Sequence, residues 1–309
     1  MDTSDKATID HVAIIVSSQT DAEIESRFAQ ALKLNLGSEI ELRNLSGHRA
    51  EFAADAKLGL MSPDAAATLQ SQLCTQFSGL ADCAVLPSKG RRKHLLVSDM
   101  DSTVIGQECL DELADFAGVK AEVAAITERA MAGELDFEGA LTERVAMLKG
   151  LGLGALEQCY ASRIGLNPGA ATLVATMKAH GARTVLVSGG FTYFTSRVAR
   201  DAGFEDHRGN TLIDDGAALT GEVGRPILGR EAKLAALQEE ATALGIELAD
   251  SITLGDGAND LAMIEASGLG IAYRAKPIVA NKARAAIQLT DLTTALYYQG
   301  YTAAEFVEA

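Results

Sequence analysis

Three short apolar runs in this 309-residue chain end on residues able to bind or move charge. HLLVSD (94–99) ends on Asp99 and is followed by Met100, Asp101, Ser102 and Thr103. TVLVSG (184–189) delivers Ser188, followed by Gly189 and Gly190. SITLGD (251–256) ends on Asp256 and opens GDGAND, which holds Asn259 and Asp260, while Lys233 lies on a helical stretch before that last run. Taken singly, each has an ordinary reading. Asp-x-Asp is a strand end or helix cap, Ser-Gly-Gly a tight turn, a helical lysine a solvated side chain, and GDGAND a turn with an N-cap. Their joint appearance at three strand ends points to one shared site. Four carboxylates in one crevice repel each other unless a hard cation sits among them, and an oxygen-only set without His or Cys selects Mg²⁺ over zinc. A hydroxyl, glycine N–H groups and a lysine are all donors, complementary to a tetrahedral oxyanion such as phosphate. Donors, Mg²⁺ and two acids two residues apart are the parts of phosphoryl transfer. One carboxylate attacks phosphorus; the other protonates the leaving oxygen, then takes a proton from water to clear the acyl phosphate.

Such a site needs a scaffold that brings strand ends together. The runs above, with LGIAY (269–273), are continuous rather than alternating, the pattern of strands buried on both faces of a parallel sheet. A doubly wound α/β core follows, with ligands beyond the carboxyl ends of its strands. Between the first two runs, residues 105–166 read as helical throughout: ECLDELADFA, KAEVAAITERAMA, FEGALTERVAMLK and ALEQCYASR, the first three closing at Gly118, Gly133 and Gly150. This is a cap module over one end of the sheet, where substrate selection is commonly placed. GNTLIDDGAALTGEVG reads as a hairpin. LPSKGRRKH (86–94) reads as a boundary between residues 1–86 and 87–309. Before it, HVAIIVSS, DAEIESRFAQALKL, a hairpin turning at Ser46-Gly47, AAATLQSQLCTQF and CAVL give βαββαβ, a four-stranded antiparallel sheet with helices on one face.

The net charge of −15 opposes binding to nucleic acid or acidic membrane surfaces, so any phosphate must be won locally. A 48% hydrophobic content excludes disorder. No run of 18 apolar residues exists and the first ten residues are acidic, which predicts neither a membrane span nor a secretory address, and hence a cytoplasmic location. Cys74, Cys83, Cys109 and Cys159 lack metal-ligand spacing and read as reduced, mostly packing thiols.

DMDST, the Ser188-Gly189-Gly190-Phe191 turn, Lys233 and GDGANDLAM resemble, in order, the signature motifs of the haloacid dehalogenase superfamily of phosphohydrolases, and within it the phosphoserine phosphatases, over residues 94–300. The resemblance implies Asp99 as nucleophile and Asp101 as acid/base. It implies Mg²⁺ held by Asp99, the Asp101 backbone carbonyl and Asp256, and Ser188, Gly189 and Lys233 gripping the phosphoryl group, with Asn259 and Asp260 completing the site. It also implies that Glu108 and Arg144, on the cap, hold the ammonium and carboxylate of O-phospho-L-serine, the reaction serving serine biosynthesis. A zwitterion needs one fixed charge of each sign, and guanidinium meets carboxylate bidentately. Without the resemblance, Glu108 suits a helix dipole and Arg144 an exposed helix face. Phe137 reads as core packing or as a cover over the substrate. The first 86 residues resemble the ACT-type regulatory domains, which implies amino-acid binding or homodimerisation; SSQTDAE lacks the glycine that amino-acid-binding members often carry. Another small phosphate ester as substrate, or a non-catalytic amino-acid sensor, are the competing readings. A kinase is excluded by the absence of a G-x-x-x-x-G-K-[ST] or kinase glycine-rich loop.

Overall fold

The structure, a computed structural model, describes residues 8–19, 22–47, 49–131 and 134–308. The amino-terminal MDTSDKA, Thr20 and Asp21 of the SSQTDAE turn, and Gly133 lie outside the described residues.

The first unit runs β1 (Ile9–Ser17), α1 (Ala22–Leu36), β2 (Leu42–Asn44), β3 (Phe52–Met61), α2 (Pro63–Gln76) and β4 (Asp82–Pro87). The expected βαββαβ order forms an antiparallel sheet, β2-β3-β1-β4. Ser62 caps α2 by accepting from the Ala65 N–H, and Pro63 fits the first turn. Side chains of a strand alternate between faces. In β1, Ala13 and Ile15 pack with Phe28, Leu32, Leu69 and Leu73 of the two helices, while Val12, Ile14 and Val16 join Leu296, Tyr297 and Tyr298 near the carboxyl end of the chain. The helix-free face of this sheet is therefore covered by the second unit.

The second unit runs β5 (Leu95–Ser98), α3 (Cys109–Ala117), α4 (Lys120–Met131), α5 (Phe137–Ala146), α6 (Leu153–Arg163), α7 (Ala170–Ala179), β6 (Arg183–Phe191), α8 (Thr192–Ala202) and β7 (Asp206–Asn210). The hairpin β8 (Leu212–Asp214) and β9 (Leu219–Val223) follows, then α9 (Arg230–Leu244), β10 (Ser251–Gly255), α10 (Leu261–Ala266), β11 (Leu269–Tyr273), α11 (Pro277–Ala280), β12 (Ala285–Ile287) and α12 (Thr294–Tyr298). Six strands pair in parallel in the order β12-β11-β10-β5-β6-β7. The chain enters at the centre and winds to both edges, so the sheet is doubly wound. The edge strands β7 and β12 escape the sequence analysis because DHRGN is polar and AAI is three residues long, neither giving an apolar run.

All four insertion helices form, and an antiparallel bridge between Ile105 and Leu166 pins the base of the insertion. Gly118 ends α3 at φ 70° as expected. Gly150 does not end α5: the helix closes at Ala146 with Met147 as its cap, and Gly150, at φ 82°, completes the turn beyond it. The reason is a tertiary bond, since the Gly150 N–H reaches Leu219 O at 2.8 Å while Leu219 N–H reaches Leu151 O at 2.9 Å. The cap is thus stitched to β9. Among the described residues no helix is long and apolar enough to cross a membrane.

Buried carboxylates join the two units. Asp82 (5% exposed) accepts from Gln288 N (2.9 Å), Leu289 N (3.1 Å), Thr290 N (2.9 Å) and Thr290 Oγ1 (2.6 Å). Asp55 accepts from Arg43 and from Arg91 Nη1 (2.6 Å), and Arg91 also donates to Tyr297 O and Tyr298 O, both at 3.1 Å. Replacing Asp82 leaves several N–H groups without acceptors. Asp82→Ala is therefore expected to cost about 3 kcal/mol in urea unfolding, whereas a loss below about 0.5 kcal/mol would show that the joint is dispensable.

Candidate active site

The strand ends carry the expected residues to one rim. Asp99 (4% exposed) follows β5; its Oδ1 accepts from Met100 N (2.7 Å) and its Oδ2 pairs with Lys233 Nζ (2.7 Å). Lys233, one turn into α9 and 3% exposed, also meets Asp260 Oδ1 at 2.5 Å. The solvated-lysine alternative is therefore wrong for Lys233. Asp260 Oδ2 accepts from Asp256 N (3.1 Å) and Gly257 N (2.9 Å), so its oxygens are spent on holding the GDGAND loop and the lysine. Among the described residues, the side-chain bond that Asp256 Oδ1 receives is a long one, from Thr103 Oγ1 at 3.4 Å. Asn259 is half-buried in the same loop.

Asp101 faces the neighbouring strand. Its Oδ1 accepts from Cys109 N at 2.9 Å, the first N–H of α3, and its Oδ2 accepts from Ser188 Oγ at 3.0 Å. The strand that delivers Ser188 does not end with the apolar run TVLVSG, since β6 continues to Phe191. Four steps along β6, from Val187 to Phe191, are matched by two along β7, from Arg208 to Asn210, so Ser188, Gly189 and Gly190 bulge out of the ladder. A Cβ on Gly190 would lie 2.9 Å from Asp101 Oδ2, and one on Gly189 would lie 3.2 Å from Phe137 Cζ. At Gly190 a side chain would displace the Asp101 carboxylate, while at Gly189 the Phe137 ring would have to give by a few tenths of an ångström. Phe137 (39% exposed) is thus a cap residue seated on the rim rather than a core residue.

Charge crowding sets the electrostatics. Oxygens of Asp99, Asp256 and Asp260 lie within 4.8 Å of one another. Burial first, then the Asp260 charge, pushes Asp99 well above the usual carboxylate range against the pull of Lys233, and the same two causes push Asp256 up to about 6. Burial also raises Asp101, opposed by its bond from Cys109. Lys233 is lowered by burial but raised more by Asp99 and Asp260, and ends above its ordinary value.

The two cap residues face this rim. Glu108, just before α3, accepts from Ser102 Oγ at 2.6 Å and is pushed up to about 7 by desolvation and by Asp101. Ser102 adopts φ 54°, a left-handed conformation that costs a non-glycine residue energy and is found where a turn is over-determined by its surroundings. Arg144, half-buried on α5, donates from Nε to Ala140 O (3.2 Å) and has no carboxylate within ion-pair distance among the described residues. Burial lowers it, while Asp111 and Glu108 are the charges it faces. Three residues that the sequence names without a part in the site take one here: Ser102 as the anchor of Glu108, Cys109 through its N–H, and Thr103 against Asp256. All lie within or just after DMDST, so that run was the available signal.

The family of haloacid dehalogenase-like hydrolases matches residues 96–265, and the chain belongs to this family. Within it, similar proteins carry a more particular name. A phosphoserine phosphatase of Polaromonas sp. is 48% identical over 198 residues, covering 62% of this chain and 84% of its own. A probable phosphoserine phosphatase of Schizosaccharomyces pombe is 38% identical over 299 residues, covering 94% and 95%. The crystal structure of a HAD family hydrolase from Salmonella enterica serovar Typhi superposes with a TM-score of 0.82 at 30% identity, covering 93% of this chain and 98% of that one.

The raised carboxylate Asp256 ties stability to pH in the metal-free protein. Its folded value, about 6, lies above the ordinary 3.8, so its contribution is intact below about pH 4 and is lost as pH rises through 6. In EDTA, Asp256→Asn should thus match the parent at pH 4 and exceed it by about 2 kcal/mol at pH 7.5. Equal unfolding midpoints at pH 7.5 would contradict the crowding.

Proposed function

We propose that the protein is a phosphoserine phosphatase that hydrolyses O-phospho-L-serine to L-serine and phosphate through an aspartyl-phosphate, the closing step of serine biosynthesis. One observation carries the reading: just beyond the end of β5, one carboxylate is fixed by a buried lysine and the other, two residues on, by a hydroxyl from the adjacent β6 and a helix N–H. The Schizosaccharomyces pombe relative, aligned over 94% of this chain and 95% of its own, bears this activity in its name as a probable one.

Asp99 is the nucleophile. Its oxygen bonds to phosphorus as the bond from phosphorus to the serine oxygen breaks, and Asp101 gives its proton to that oxygen. Burial, which favours the protonated form of Asp101, suits it to this task. Asp101 then takes a proton from water as the water oxygen attacks phosphorus, and Asp99 leaves as a carboxylate. Ser188, the Gly189 N–H, Asn259 and Lys233 hold the phosphoryl oxygens, Lys233 also offsetting the charge of Asp99 and Asp260. Asp260 is a support, since both its oxygens are already taken by the lysine and the loop.

The donor set fits Mg²⁺: oxygen only, three carboxylates within 4.8 Å, and in Asp256 an acid with little protein support. We assign the ion to Asp99, Asp256 and the backbone carbonyl of Asp101. When bound, it supplies the positive charge that the crowded acids and the phosphoryl group both require. Glu108 and Arg144 take the substrate ammonium and carboxylate. For residues 1–86 we propose a regulatory or homodimerising role. Because the open sheet face is already buried against the second unit, a second copy would use the helices or the β2 and β4 edges.

Phosphate release from phosphoserine should require Mg²⁺ and stop with EDTA; Asp99→Asn should abolish it while the circular dichroism spectrum and melting remain those of a folded protein. Retained turnover in Asp99→Asn would end the nucleophile assignment. Arg144→Ala should raise KM for phosphoserine by about 100-fold, the worth of a charge-assisted bidentate pair, with little change for a phosphate ester lacking a carboxylate. Equal changes on both esters would remove Arg144 from the substrate site.

A further inference from the structure

Asn210, at the end of β7, is 2% exposed and has no part in the chemistry described above. Its Nδ2 donates to Gly189 O (2.8 Å) and Leu228 O (3.2 Å), and its Oδ1 accepts from Leu228 N (2.7 Å). The Gly189 carbonyl shares a peptide unit with the Gly190 N–H, which donates to Ser188 Oγ at 2.8 Å. A peptide unit is planar, so holding its carbonyl also fixes where its N–H points. Ser188 Oγ in turn donates to Asp101 Oδ2 at 3.0 Å. A continuous run of bonds therefore leads from Asn210, through one peptide plane and one hydroxyl, to Asp101.

The bulge needs such a restraint. Ser188, Gly189 and Gly190 have no partner in the β6–β7 ladder, and two adjacent glycines carry the largest backbone freedom of any residue pair. At its other end Asn210 holds Leu228, directly before Gly229, the N-cap of the helix that carries Lys233. One buried amide thus ties together the two segments that present Ser188 and Lys233.

We infer that Asn210 is a positioning residue, which sets the Ser188 hydroxyl, and through it Asp101, by clamping the Gly189–Gly190 peptide. The inference rests on reading Asp101 as the acid that protonates the leaving group. Two shape-conserving variants separate it from simple space filling. Asn210→Asp keeps the acceptor for Leu228 N but turns an acceptor toward Gly189 O; Asn210→Leu loses both roles.

A displacement of about 1 Å at the acid is worth on the order of 100-fold in rate, so kcat for phosphoserine should fall by about that factor in both variants, with KM changed by less than about threefold. In kcat/KM, which reports transfer to Asp99 and not the later water step that Asp101 also assists, the fall for p-nitrophenyl phosphate, whose leaving group needs no proton, should be at least about tenfold smaller than for phosphoserine. The amide resonances of Gly190 and Cys109 should move in both variants, a readout that needs no substrate. Parent-like kcat in Asn210→Asp, equal losses of kcat/KM on the two esters, or unmoved Gly190 and Cys109 resonances would each overturn the positioning role. A parent protein that cleaves p-nitrophenyl phosphate but not phosphoserine would instead overturn the proposed substrate, and the resonances would still decide the part played by Asn210.

Discussion

The structure turns on the placement of one buried ammonium between two buried carboxylates. Lys233 meets Asp99 at 2.7 Å and Asp260 at 2.5 Å, with all three side chains almost wholly removed from water. Burying charges is costly unless they are paired and further hydrogen-bonded, and each member here is. Asp99 gains the Met100 N–H, and Asp260 gains the N–H groups of Asp256 and Gly257. One lysine does not balance four acids, however. The residual negative charge shows in Asp256, pushed up to about 6 by burial and by its neighbour Asp260. The site is built with a deficit of positive charge, and that deficit is what makes it receptive to a divalent cation.

Around this centre each layer of the fold supplies one constraint. The doubly wound sheet brings β5, β6 and β10 side by side, so that their carboxyl ends meet at a single rim. The two-residue bulge in β6 lifts Ser188 toward Asp101, and the start of α3 offers its first N–H to the other oxygen of the same acid. The inserted helices carry Glu108, Arg144 and Phe137 over the rim and are fastened at their base by Ile105 and Leu166 and to the hairpin through Gly150 and Leu219. The antiparallel unit stands apart from the chemistry. It is joined through Asp82 and Arg91 to the segment around residues 288–298, where polar bonds and shared apolar packing fix its face.

Much of this was legible in the chain. The acids and the serine were visible because they punctuate apolar runs, and central strands buried on both faces leave a continuous apolar pattern whose short length separates it from a buried helix. The four cap helices were visible from their periodicity. What escaped notice depends on partners distant in sequence. β7 reads DHRGN, and only pairing with β6 makes it a strand. Gly150 looks like a helix terminator until Leu219 is seen to claim its N–H. Asn210 is one polar residue in a polar stretch, and its bonds to Gly189 and Leu228 span 21 and 18 residues. In HVAIIV a signal was present and under-used: an antiparallel strand without alternation has both faces covered, which is how β1 serves two cores at once.

Whether Asp99 accepts the phosphoryl group is decided by mixing the protein with phosphoserine, quenching in acid within the first turnover, and mapping the peptides by mass spectrometry. One phosphoryl group is expected on the peptide that carries Asp99, lost on mild alkaline treatment as an acyl phosphate should be. Quenched protein with unmodified Asp99 during rapid turnover, or phosphate on another residue, would contradict Asp99 as the acceptor.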